Sequence, residues 1–159
     1  TIEHASFIDE EGIRLAIANN AALSMDIYVT EYILGEGASA GILEESLEKE
    51  RMTGSTQRAN SRKAVEAGAT IVYGTDAGVY PHGQNARQFS RMVRFGMTPL
   101  QAIQSATVTA ADVMGLGYEV GKIEAGYAAD FVAVKGNPLE NIELLEEPAA
   151  VIKGGVRYR

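Results

Sequence analysis

Two stretches carry the residue types from which a hydrolytic site can be built. "TIEHAS", at 1–6, brings one of only two histidines to the end of a short, β-branched run. "TIVYGTDAGVYPHGQNA", at 70–86, brings Asp76 to the end of another. Imidazole and carboxylate are common ligands of zinc-like divalent ions. An ion shared by His4 and Asp76 would lower the pKa of its water to about 7, and Asp76 within hydrogen-bond reach could take that water's proton. Gly74 and Gly78 allow the backbone to turn sharply and bring the carboxylate close to an ion. Types and spacing alone also fit a capping aspartate and a hydrogen-bonded histidine, since neither an HxH nor an HExxH pattern is present. Taken singly, His82 reads as a loop histidine, Asn85 as a turn residue or helix cap, and Tyr28 as a core or rim aromatic. Cysteine is absent, which excludes disulfides and thiolate ligands.

The elements that must position these residues follow from local signals. "TIEHA" suits a strand ending near His4. Asp9 is placed to cap the helix "EEGIRLAIANNA", with Glu10 and Glu11 favourable in its first turn. Ile13, Leu15, Ile17, Ala16 and Ala18 mark that helix as mostly buried, and Asn19-Asn20 as its stop. "AALSMDIYV" is nearly continuous in apolar residues, as strands buried on both faces are. "LEESLEKERM" and "STQRANSRKAVEAG" are two helical stretches, the first with Glu45 and Lys49 in the favourable i,i+4 order. Gly68 stands where a helix-ending glycine would, and "ATIVYG" is a third strand. Strand, helix, strand, helices, strand argues for a parallel sheet covered by helices.

Beyond the Asp76 loop, "QFSRMVRFG" reads as a helix with Phe89, Met92 and Val93 inward and Gly96 at its end. Thr98, Pro99 and Gln101 spell a cap, a first helical position and a capping box. Leu100, Ile103, Val113 and Met114 supply apolar faces on two short helices, with Gly115 as a stop. From there the chain is Gly-punctuated and strand-like, with two strands expected around Gly154-Gly155. The expected division is 1–116 for the helix-covered sheet and 117–159 for a small β unit. So few strands cannot close a sheet alone.

The order "TIEHAS", "GTDAGVYPHGQNA", "GMTPLQAIQSAT", "VGKIEAGYAADFVAV" resembles the amidohydrolase superfamily, and within it the Xaa-Pro dipeptidase (prolidase-like) and imidazolonepropionase-like branch. It covers essentially the whole chain. "GxIxxGxxADFV", Gly121–Val132, resembles the return of these enzymes from barrel to small β domain, and the "GTDAG" and "PHGxNA" pair is characteristic of the branch. The resemblance implies an α/β fold: the C-terminal part of a TIM-like (β/α)8 metal-dependent hydrolase barrel, strands 6–8, plus strands of a small β-sandwich domain. It implies His4 as the metal ligand ending strand 6 and Asp76 as the metal-binding proton shuttle after strand 8. His82 and Asn85 are implied to face substrate from the loop above the mouth, and Tyr28, at the end of strand 7, to line it. It implies a divalent cofactor, Zn2+, in a mono- or binuclear site. The HxH pair, carboxylated lysine and strand-5 histidine of such enzymes have no counterpart here. A whole barrel needs about 250 residues, so the missing N-terminal half of the barrel is an expected partner.

The implied activity is hydrolysis of an amide bond, with an Xaa-Pro-type dipeptide as the preferred substrate and a cyclic amide of the imidazolonepropionase type as the alternative. A third reading is a non-catalytic half-barrel assembly module, and an exposed edge strand also invites homo-oligomerisation. The net charge of −7 opposes non-specific nucleic-acid binding. No run of about 18 apolar residues predicts a membrane span, and the first residues lack the pattern of a signal peptide. The compartment stays open.

Overall fold

The computed structural model describes residues 1–159. Two three-stranded sheets form its frame. In the first, β1 (Ile2–Glu3), β2 (Leu23–Met25) and β3 (Ile71–Tyr73) run parallel in the order β1-β2-β3. Ile2 registers with Leu23, and Leu23 with Ile71. The central strand is the most buried, with Leu23 and Met25 almost fully removed from water. Because the strands are parallel and in register, their C-terminal ends open on one side. His4, Asp26 and Asp76 follow those three ends.

Helices cover this sheet. α1 (Glu10–Ala18) starts at Asp9, whose carboxylate accepts from Gly12 N at 2.7 Å. Its buried residues are Ile13 and Ala16, three apart as one helical face requires. Leu15 and Ile17 remain exposed, contrary to expectation; Leu15 stands two residues from Ile13 and therefore on a different side of the helix. α2 (Ile27–Glu36) begins two residues after β2 ends. The run expected as one strand through Val29 is therefore a three-residue strand followed by a buried helical turn. Periodicity cannot separate those two states in a short apolar run. Tyr28 consequently lies in the first turn of α2 and not at a strand end.

α3 (Glu44–Glu66) is a single helix of 23 residues where two were expected. Gly54 at its middle does not break it. The glycine sits where α3 crosses α2, and a Cβ there would lie 2.7 Å from Thr30 Cγ2. Close approach of the two helices accounts for the residue. Gly68, at φ +77°, ends the segment as expected. α4 (Arg87–Arg94) buries Met92 and packs Phe89 and Val93 against the same core. α5 (Pro99–Ser105) opens with the expected capping box, Thr98 accepting from Gln101 N and Gln101 from Thr98 N. α6 (Val108–Val113) follows.

Leu100, Val113 and Met114 are exposed, another departure from expectation. These short helices bury small residues, Ala102, Ser105 and Ala111, at their contacts. Ile103 and Met114 instead line a largely apolar cavity of about 830 Å³ beneath the second sheet. That sheet is antiparallel in the order β4 (Phe131–Ala133), β5 (Ala150–Lys153) and β6 (Val156–Arg157). Gly154 and Gly155, both at positive φ, make the two-residue turn between β5 and β6. A 3₁₀ turn, Ile142–Glu146, ties this region to α4 through Glu146, which accepts from Ser90. No helix is long and apolar enough to cross a membrane.

Candidate metal centre

The three strand ends converge. His4, Asp26 and Asp76 each offer a ligand atom, and those atoms lie within 4.8 Å of one another. His4 and Asp76, far apart in sequence, are thus brought together as the sequence reading expected. They line a cavity of about 160 Å³ together with Asp26, Val29, Ile33, Val79, Thr30, Glu50, Thr53 and Gln57. α2 and α3 supply most of this wall. Glu50 is half-buried in it and makes no ion pair.

The backbone at the site is unusual. His4 (φ +64°), Ala5 (φ +48°) and Asp76 (φ +49°) all occupy the left-handed region. Such conformations cost roughly 1–3 kcal/mol each for residues with a Cβ and persist where surrounding structure enforces them. Here the enforcement is visible. Ala5 N donates to Glu3 O at 2.7 Å, and Asn60 on α3 donates to Ser6 O at 3.0 Å. On the other side Gly74 N donates to Met25 O at 2.9 Å. A side chain at Gly74 would meet Ser24 Oγ at 2.8 Å, so only glycine lets β3 and β2 stay this close before the Asp76 turn.

Asp26 was not anticipated from the sequence. It stands at the N-cap position of α2 yet makes no capping bond. It is 4% exposed, and its Oδ2 accepts from His4 Nδ1 at 2.7 Å. Its Oδ1 lies 3.4 Å from Gln57 Nε2. The cap is supplied by a different residue: buried Gln88 of α4 accepts from Tyr28 N and donates to Met25 O, both at 2.7 Å. The hydrogen bond to Asp26, then its negative charge, raises the His4 pKa above the ordinary histidine value, and Asp76 adds to the effect. The signal that could have found Asp26 is its position: it follows β2 as His4 follows β1.

The remaining candidates lie elsewhere. Tyr28 is buried against Tyr80 in an edge-to-face pair 4.9 Å apart. Its hydroxyl donates to Gln84 and accepts from Arg87. His82 is exposed. Asn85 accepts from Tyr73 through its backbone carbonyl and from Gly83 N through its side chain, shaping the loop. None of the three lines the cavity that holds His4 and Asp76.

Similarity to known proteins extends over essentially the whole chain. Residues 1–157 match the amidohydrolase family. Ochratoxinase of Aspergillus niger is 34% identical over 164 residues, covering 100% of this chain and 34% of the relative. An imidazolonepropionase of Geobacillus sp. (strain WCH70) is 34% identical over 82 residues, 48% of this chain and 19% of that protein. A crystal structure of a Xaa-Pro dipeptidase with methionine bound in its active site superposes with a TM-score of 0.91 at 39% identity, over 99% of this chain and 39% of its own. The chain spans about a third of the length of the curated relative that it matches throughout.

Proposed function

The chain belongs to the amidohydrolase family, and from that premise we propose that it is part of a metal-dependent hydrolase of amide bonds, one that cleaves dipeptides of the Xaa-Pro type. On this reading the parallel sheet is the last third of a (β/α)8 barrel, the second sheet belongs to a small β-sandwich, and the rest of both comes from the remainder of the enzyme. The observation that carries the proposal is the meeting of His4 and Asp76 at the open ends of parallel strands.

The donor set suits a divalent ion of the zinc class, with one imidazole nitrogen and carboxylate oxygens inside a small polar cavity. His4 and Asp76 would hold it. Catalytic zinc usually takes three protein ligands, so further ligands belong to the remainder of the enzyme. A divalent ion in this position supplies Lewis-acid activation of water and of the scissile carbonyl. Asp76 accepts the proton of the attacking water at a carboxylate oxygen and returns it to the leaving nitrogen. Val29, Ile33 and Val79 are the apolar residues of the cavity lining, and a substrate side chain would pack against them.

Glu50 favours a dipeptide over a neutral cyclic amide. It is a cavity carboxylate without a cation, and a substrate's free ammonium group can provide one. The test is a substrate panel on the full-length enzyme: Xaa-Pro dipeptides, their N-acetyl counterparts and cyclic amides, each with and without chelator. Free dipeptides should be cleaved best and chelation should abolish turnover. Turnover that survives full removal of metal contradicts the mechanism, and preference for cyclic amides contradicts the substrate.

A further inference from the structure

The geometry points to Asp26 as the residue that orients His4 toward the ion: a positioning residue, not a ligand. The inference rests on the metal-site reading above. A carboxylate oxygen has no hydrogen to give, so the 2.7 Å contact between Asp26 Oδ2 and His4 Nδ1 places the proton on Nδ1. The second ring nitrogen, Nε2, is left with the lone pair that a metal needs. Ligating histidines characteristically pass their other N–H to a carboxylate or carbonyl in this manner.

Three further features separate this role from ligation and from helix capping. Both Asp26 oxygens already face protein donors, Oδ2 the imidazole and Oδ1 the Gln57 amide. Gln57 is buried and is itself held, because its carbonyl accepts from Thr30 Oγ1 at 2.8 Å. The capping duty that an aspartate at this position normally performs is given to Gln88. The N-terminus of α2 favours negative charge at Asp26 in addition. A chain of fixed groups, Thr30, Gln57, Asp26 and His4, therefore runs from α2 and α3 to the imidazole.

The experiment uses the full-length enzyme and measures Zn2+ affinity by chelator competition, beside ¹⁵N spectra of the histidine rings. Asp26→Asn keeps the shape but can present an amide donor to Nδ1. It should weaken Zn2+ binding by about 10–100-fold, with stoichiometry unchanged, and shift the His4 ring in the metal-free enzyme away from the Nδ1–H form. Asp26→Glu should recover part of the affinity. Should the asparagine variant lose its fold, Gln57→Leu applies the same test one residue further back, with a smaller loss in the same direction. Wild-type affinity in these variants overturns the role of Asp26, as does loss of one whole equivalent of Zn2+ with an unchanged His4 ring, which would make Asp26 a ligand. A wild-type enzyme that takes up no Zn2+ overturns instead the metal reading itself.

Discussion

At the scale of single residues, the proposed metal site contains a hydrogen-bonded pair with unequal surroundings. His4 is half-exposed by its side chain, 56%, while its partner Asp26 is at 6%. Because the His4 pKa is raised, the stabilisation from its charged pair with Asp26 is fully present below about 6.5, the ordinary histidine value. It is lost as pH rises through the higher value of the folded protein. Metal binding has the opposite sign, since an ion must displace the proton from Nε2. The metal-free protein should therefore lose thermal stability on going from pH 6 to pH 9, whereas Zn2+ affinity should climb across the same interval. Parallel scans of melting and chelator competition check both, and a Zn2+ affinity that is flat with pH would exclude His4 as a ligand. Asp76→Asn should lower turnover of the full-length enzyme by about 10²–10⁴-fold, the usual size of a general acid–base contribution. Steady-state kinetics at saturating Zn2+ measures it, and near-normal turnover would remove Asp76 from the proton path.

At the scale of elements, α2 and α3 matter most, because they form the cavity wall and hold Gln57. Their contact depends on Gly54. In a free helix, replacing glycine by alanine gains up to about 1 kcal/mol. Here the new methyl would sit 2.7 Å from Thr30 Cγ2, whose side chain is fixed by its hydrogen bond to Gln57. Gly54→Ala should therefore destabilise the protein by about 1–3 kcal/mol, the scale of overpacking, and disturb the cavity through Thr30 and Gln57. Urea unfolding reads the sign. A gain in stability would mean that the two helices are not held at this separation. By contrast, the capping box of Thr98 and Gln101 is local, and neither residue lines the cavity.

For the whole molecule, the open edges dominate. β1 and β3 each pair on one side only within the first sheet, and the second sheet is three short strands over an apolar cavity of about 830 Å³. Unpaired parallel edges and apolar surface favour association. On the barrel reading, the isolated 159-residue chain should self-associate, hold Zn2+ weakly through two ligands and hydrolyse no dipeptide, with activity confined to the full-length enzyme. Light scattering and metal analysis of the isolated chain test this. A stable monomer with tight Zn2+ binding would argue that these strands need no completion.

What the sequence determined by itself was whatever closes over a few residues: the Asp9 cap, the capping box of Thr98 and Gln101, the Gly154-Gly155 turn, the strand ends before His4 and Asp76 and the order of motifs that marks the family. These depend on backbone geometry and neighbouring side chains, so they are written locally. Tertiary structure alone decided that Ile27–Val29 is helical, that α3 runs unbroken through Gly54, that Tyr28 turns into an aromatic cluster away from the cavity, and that Asp26 meets His4 across 22 positions. Each of these outcomes depends on which surface another element presents. Gln88 caps α2 only because α4 packs there, and Asp26 is free for His4 only because Gln88 does so.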